Sequence, residues 1–166
     1  YLTLNKTGCL DIQRYWNPLK NQISVSKNEQ EEFYIKETRR LLKNSIKKQV
    51  ISDVSVGCFL SGGIDSSTNA VVMSEAIQEP IKTFSISYKD YPEFNEFEYS
   101  RKINNLIQAK GYEVQAGPEE FLQWIELMKK NMDDPNGDCV SFPVYYIAKM
   151  LKENNVLMSQ VGEGSD

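Results

Sequence analysis

The feature that most constrains this chain is a junction. An apolar run, Val54-Ser55-Val56-Gly57-Cys58-Phe59-Leu60, enters Ser61-Gly62-Gly63-Ile64-Asp65-Ser66-Ser67 and continues into Thr68-Asn69-Ala70-Val71-Val72-Met73. The first run has the length and apolar continuity of a buried strand, and the last reads as a helix. A strand that passes through a glycine turn into a helix starts a crossover unit, and the rest of the chain repeats the alternation. Helices are expected at 29–50, 65–77, 95–109, 118–131 and 142–154, and strands at 54–60, 81–87, near Tyr112–Val114 and at 156–161. Such alternation predicts an α/β fold, a parallel sheet with helices on both faces. Residues 1–16 read instead as a hairpin turning at Asn5-Lys6-Thr7-Gly8, followed by a polar linker from Asn17 to Asn28.

The turn itself has a chemistry. Gly62 and Gly63 let backbone N–H groups approach an anion closely, and the following helix N-terminus adds partial positive charge. The hydroxyls of Ser61, Ser66 and Ser67 are further donors. Asp65 would repel a phosphate unless a divalent cation such as Mg²⁺ bridges the two. The pattern is therefore that of a pyrophosphate site with metal. It is not a Walker loop, because no lysine follows the glycines.

In parallel sheets ligands bind at the carboxyl ends of the strands. That rule selects the loops 61–67, 88–95 and 162–166. Phe84 and Ile86 read as core side chains whose backbone could meet an adenine ring. Glu163 and Asp166, on a loop with Gly162 and Gly164, suit metal binding, proton handling or an amino substrate.

Composition excludes several function classes. A formal charge of −4 without a basic stripe argues against a nucleic-acid binder. Histidine is absent, so no His-based dyad or zinc site can exist in these 166 residues. Cys9, Cys58 and Cys139 lack paired ligand spacing and read as reduced, packing thiols of a cytoplasmic protein. No apolar run is long enough to span a membrane. The chain opens in Tyr1-Leu2-Thr3-Leu4 without an initiator Met and stops on a glycine-rich loop, so it reads as a fragment with weak or absent activity alone. Phe121, Trp124, Ile125 and Met128 fall at helical spacing and are expected in the core, while Lys43, Lys47 and Lys48 are expected on a solvated face.

The Ser-Gly-Gly-x-Asp-Ser string resembles the PP-loop of the ATP pyrophosphatase family. Together with Phe84-Ser85-Ile86, Asn95-Glu96-Phe97-Glu98-Tyr99-Ser100-Arg101, Phe142-Pro143-Val144-Tyr145-Tyr146 and Gly162-Glu163-Gly164-Ser165-Asp166, it resembles the synthetase domain of glutamine-dependent asparagine synthetases. The lead-in Arg14-Tyr15-Trp16-Asn17-Pro18 is similar to that family's join between glutaminase and synthetase domains. The resemblance implies that residues 1–18 end a glutaminase domain and that 19–166 begin the ATP-dependent synthetase domain. It implies ATP and Mg²⁺ as cofactors, with aspartate and glutamine-derived ammonia as substrates and a second copy of the chain as a candidate partner. Ser61, Gly62, Gly63, Asp65, Ser66 and Ser67 would hold pyrophosphate, with Asp65 and Asp166 on metal. Phe59, Leu60 and Ile86 would line the adenosine pocket, Val161 and Gly162 would also bind the nucleotide, and Gly162 and Glu163 would stand at the reacting end, with Glu163 catalytic. Val161 departs from members that carry Ser there. The segment Asp133-Asp134-Pro135-Asn136-Gly137-Asp138 reads equally as a plain turn or, by resemblance, as an approach to the site. Two other readings remain open, a PP-loop amidotransferase acting on another carboxylate and a non-catalytic nucleotide-binding relative.

Overall fold

A computed structural model describes residues 1–17, 19–20, 30–134 and 137–162. Most of the expected linker lies outside the described residues, as do Pro135 and Asn136 of the 133–138 segment. The chain divides into two compact units, Tyr1–Thr38 and Arg39–Asp166.

In the first unit, β1 (Leu2–Leu4) pairs antiparallel with β2 (Leu10–Ile12), in the register Leu2↔Ile12 and Leu4↔Leu10. The expected turn is held by Asn5, whose side-chain oxygen accepts from the N–H groups of Thr7 at 3.0 Å and Cys9 at 2.9 Å. Gly8 takes the left-handed conformation that this turn requires, with φ 82°. Leu2, Leu4, Leu10 and Ile12 share one face of the hairpin and are all exposed. Cys9, expected to pack, is exposed as well.

Helix α1 (Gln30–Gln49) starts with Glu31 and Glu32 and ends with Lys47 and Lys48, charges that complement its dipole. Of Phe33, Ile35, Leu41, Leu42 and Ile46, only Ile46 is buried. At 100° per residue Phe33 and Leu41 fall away from the Ile46 side, while Ile35 and Leu42 share that side and are exposed all the same.

The second unit contains β3 (Val56–Phe59), α2 (Ile64–Ala76), β4 (Lys82–Tyr88), α3 (Phe97–Ile107), β5 (Lys110–Ala116), α4 (Pro118–Asn131), α5 (Ser141–Glu153) and β6 (Met158–Gln160). A short 3₁₀ turn, Pro92–Phe94, precedes α3. The four strands form one sheet in the order β5-β4-β3-β6, and every pairing is parallel. Strand β5 exceeds the short segment expected from sequence, because it pairs with β4 along its whole length, from Lys82↔Lys110 to Tyr88↔Ala116. Its outer residues are polar, as befits an edge, and only Tyr112, Val114 and Ala116 carry the apolar signal.

Helices cover both faces, as the alternation predicts. On one face Cys58 and Leu60 pack with Ile46 of α1, with Ala70, Val72 and Met73 of α2, and with Ile103 and Ile107 of α3. On the other face Phe84 packs with Ile147, Met150 and Leu151 of α5, and Ala116 packs with Trp124 of α4 and Phe142 of α5. Gly57 is required here by space, since a Cβ on it would lie 2.8 Å from the Phe84 ring and 3.1 Å from both Leu151 and Val156. Phe121, expected in the core, is substantially exposed, while Trp124, one turn further, is buried.

Candidate functional site

The glycine turn closes upon itself before it meets any ligand. Ser61 N–H donates to Ser66 Oγ at 3.2 Å, the two hydroxyls share a hydrogen bond of 2.9 Å, and Gly63 N–H donates to Ser61 Oγ at 3.2 Å. The Ser67 hydroxyl is buried and has no partner among the described residues. Gly63 caps α2 in an extended conformation. The N–H groups of Ile64, Asp65 and Ser66 then begin the helix, and as first-turn donors they have no intrahelical acceptor. The arrangement presents donors and partial positive charge at one point, with half-buried Asp65 in the same first turn.

Gly62 is fixed by both conformation and space. Its φ is +98°, and a Cβ built on it would stand 2.5 Å from Tyr99 Cβ and 3.0 Å from Ser100 N. The start of α3 thus presses on the turn, a contact the sequence does not announce. Its one sequence signal is the paired glycine itself, which asks for a close neighbour without naming it.

The adenine-facing expectation for Ile86 concerns backbone, and the ladder supplies a reason. The β3–β4 register ends at Phe59↔Phe84, with Leu60 N–H donating to Phe84 O at 2.9 Å. Backbone groups of a parallel strand alternate sides. Ile86 therefore turns its N–H and C=O toward the β3 side, one step beyond the last pair. Leu60 does not take that N–H; its carbonyl accepts instead from Ser85 Oγ at 2.6 Å. Among the described residues no backbone partner is found for this N–H and C=O, which face the β3 side beyond the last pair. The Leu60 and Phe59 side chains are packed into opposite faces of the sheet, so these residues border the space mainly through backbone.

Strand β6 brings the end of the described chain to the same place. Its register, Cys58↔Gln160, sets Val161 level with the end of β3 and Gly162 just past it. Gly162 abuts the first turn of α2, where an added Cβ would lie 3.0 Å from Asp65 O and 3.1 Å from Ser66 N. The Val161 side chain is half exposed. Gln160 anchors the strand through Nε2, which donates to Ile46 O at 3.5 Å. Glu163 and Asp166, the expected catalytic and metal residues of this loop, lie outside the described residues.

A seam of buried polar groups underlies the turn. Thr83, Ser85, Ser87, Ser100 and Asn104 are all buried between β4 and α3. Thr83 Oγ1 donates to Asn104 at 2.7 Å, and Gly111 leaves the room that the Asn104 amide fills. Cys58, beneath the turn, receives a 3.6 Å hydrogen bond from Asn69, and burial pushes its thiol up to about 12. It is a packing thiol. Cys139 is exposed, contrary to the packing expectation. A separate cavity of about 660 Å³ opens at the carboxyl ends of β4 and β5, lined in part by Tyr88, Tyr91, Phe121 and Trp124. No helix among the described residues is long and apolar enough to cross a membrane.

The profile of the Asparagine synthase family matches residues 37–166. The chain is 32% identical over 137 residues to the glutamine-hydrolysing asparagine synthetase 1 of Bacillus subtilis, covering 82% of this chain and 21% of that protein. It is 33% identical over 138 residues to the human glutamine-hydrolysing asparagine synthetase, covering 77% of this chain and 24% of the relative. The chain thus spans about a quarter or less of the length of these relatives. Among solved structures it resembles the U34-tRNA thiolase NcsA from Methanococcus maripaludis, with a TM-score of 0.58 and 16% identity over 80% of this chain and 46% of the other. That likeness is one of fold, in keeping with the α/β architecture of a parallel sheet with helices on both faces. With the profile matching most of its length, the chain belongs to the asparagine synthase family.

Proposed function

We propose that this chain carries the ATP-binding part of a ligase that amidates aspartate to asparagine. The observation that carries the reading is a convergence at the carboxyl end of β3: Gly162 abuts the donor-rich turn where α2 begins, and the β3–β4 register stops at Phe84, two residues before Ile86. The turn would hold the pyrophosphate of ATP, and the Ile86 N–H and C=O would hold the adenine edge. The aspartate side-chain carboxylate attacks the α-phosphorus, pyrophosphate leaves, and the carboxylate becomes an acyl adenylate. Ammonia then attacks the acyl carbon, AMP leaves, and Glu163 accepts the proton. The N–H donors of the turn and helix end stabilise charge that develops on the departing pyrophosphate.

Mg²⁺ fits this donor set in one way. Among the described residues no three acidic, cysteine or histidine side chains come together. Asp65 would supply one carboxylate, with phosphate oxygens and water completing the shell, which is how Mg²⁺ commonly binds. When bound it would neutralise phosphate charge beside Asp65. Asp166 is a second candidate ligand.

Residues 1–18 fit the end of a glutaminase domain that delivers the ammonia. A two-stranded hairpin is marginal by itself, and the shared face of Leu2, Leu4, Leu10 and Ile12 is apolar yet 55–72% exposed. Such a face belongs against further structure.

Pyrophosphate release from ATP, with Mg²⁺, ammonia and aspartate present, tests the reading. Release that needs aspartate and disappears in Asp65→Ala and Glu163→Ala supports it. ATP binding without any response to aspartate moves the acceptor to another carboxylate. Failure to bind ATP, measured by equilibrium dialysis, removes the ligase reading altogether.

A further inference from the structure

We infer that Ser85 is a positioning residue of the nucleotide site, acting on the glycine turn through the Leu60–Ser61 peptide. Strand β4 grips Leu60 with two successive residues. The Phe84 carbonyl accepts from Leu60 N–H at 2.9 Å, one step past the pair Phe59↔Phe84. The Ser85 hydroxyl then donates to the Leu60 carbonyl at 2.6 Å. In a continued parallel ladder that carbonyl would accept from Ile86 N–H. Here a side chain takes the place of the backbone donor. Both residues are buried, Ser85 at 4% exposure and Leu60 at 1%, so the bond is shielded from water and strengthened by the low local dielectric.

The carbonyl so held belongs to the peptide unit that leads into the turn. The other end of that unit, Ser61 N–H, donates to Ser66 Oγ at 3.2 Å, and Ser66 stands in the first turn of α2. A peptide unit is planar, so fixing its oxygen and its N–H fixes the plane. Ser85 thus sets the direction in which the chain leaves the sheet. Ser61 Oγ, which accepts from Gly63 N–H at 3.2 Å, carries that setting into the glycines. Without the hydroxyl a buried carbonyl lacks its donor, and the nearest backbone replacement along the ladder is Ile86 N–H. That exchange lengthens the ladder by one step, turns the Leu60–Ser61 plane and shifts the donors of the turn. The effect on ATP rests on the nucleotide-binding reading proposed above, whereas the effect on the turn rests on these hydrogen bonds alone.

The test reads both effects on the whole chain. Hydrogen exchange at single amides, followed by NMR without nucleotide, reports the turn, and equilibrium dialysis with Mg²⁺ reports ATP affinity. In Ser85→Ala the Ser61 and Gly63 amides should exchange at least tenfold faster, and ATP should bind at least fivefold more weakly. Ser85→Cys keeps the side-chain shape with a weaker donor and should fall between that variant and the unaltered chain. Val156→Ala controls for general loss of stability, being a buried truncation in the core around Phe84. It should keep native exchange in the turn and native ATP affinity. A folded Ser85→Ala with native exchange at Ser61 and Gly63 overturns the inference. So does faster exchange with ATP affinity unchanged, or an equal change in Val156→Ala. Should the unaltered chain bind no ATP, the ligase reading falls, and the exchange contrast alone decides whether Ser85 sets the turn. Should Ser85→Ala fail to fold, Ser85→Cys decides, and native behaviour there overturns the inference.

Discussion

Two places on the same sheet edge are built from opposite materials. The turn after β3 is made of glycine, serine and free N–H groups, and it is held by hydrogen bonds and by contact with α3. The cavity after β4 and β5 is made of aromatic rings and held by packing. Neighbouring strands are only about 4.8 Å apart, so the change from a donor-rich polar surface to an aromatic one takes one or two strands. The difference follows the faces of the sheet. Thr83, Ser85 and Ser87 point from β4 into a polar seam beneath the turn, while Phe84, Ile86 and Tyr88 point into the apolar side. One strand thus serves both by alternation.

The contrast breaks most visibly at Phe84. It is fully buried and stacks on Tyr112 at 5.1 Å. Phe84→Ala should cost roughly 3–5 kcal/mol in urea unfolding. If the two faces are separable, the folded fraction should still bind ATP with near-normal affinity; a parallel loss would show that packing also sets the turn.

Gly62→Ala strikes the other side. The positive φ and the 2.5 Å approach to Tyr99 Cβ predict strain of about 1–3 kcal/mol and a loss of ATP affinity of about tenfold or more. Gly63→Ala is its control, since Gly63 has φ −66° and only Ser61 Oγ at 3.4 Å nearby. Unfolding curves of the two variants should separate clearly. Identical curves would remove the steric account of the turn.

A smaller effect is expected from Thr83→Val, which leaves the buried Asn104 oxygen without its 2.7 Å donor. The unpaired group should cost about 1–2 kcal/mol, read by thermal unfolding. If stability is unchanged, the seam is not what supports the turn.

Cys58 sharpens the picture through pH. Burial raises its pKa from 9.0 to about 12, so the folded state favours the neutral thiol. A raised acid pKa gives stability that is complete below pH 9 and is lost as pH rises toward 12. Stability should fall in that window, and fall less in Cys58→Ala. In the native chain at pH 8 an aromatic disulfide reagent should react with Cys9 and Cys139, which are exposed, and spare Cys58. The smallest effect belongs to Lys102→Ala. Its pair with Glu98 is an exposed i,i+4 contact, and its loss should leave unfolding unchanged within error.

Sequence by itself determined the order of strands and helices, the parallel sheet and the glycine turn at Ser61–Ser67, because hydrophobic period, turn chemistry and helix capping are local properties. From its place at a strand end Gly162 was expected beside the glycine turn, and it abuts the first turn of α2. Tertiary structure alone decided the rest. The length of β5 came from pairing with β4, not from its mixed residues. The exposure of Leu41 and Phe121 came from which helix face met the sheet. The press of Tyr99 on Gly62 and the collection of five rings around one cavity join residues that are far apart in the chain. No local period records such meetings, because burial and contact depend on where a fold places distant segments.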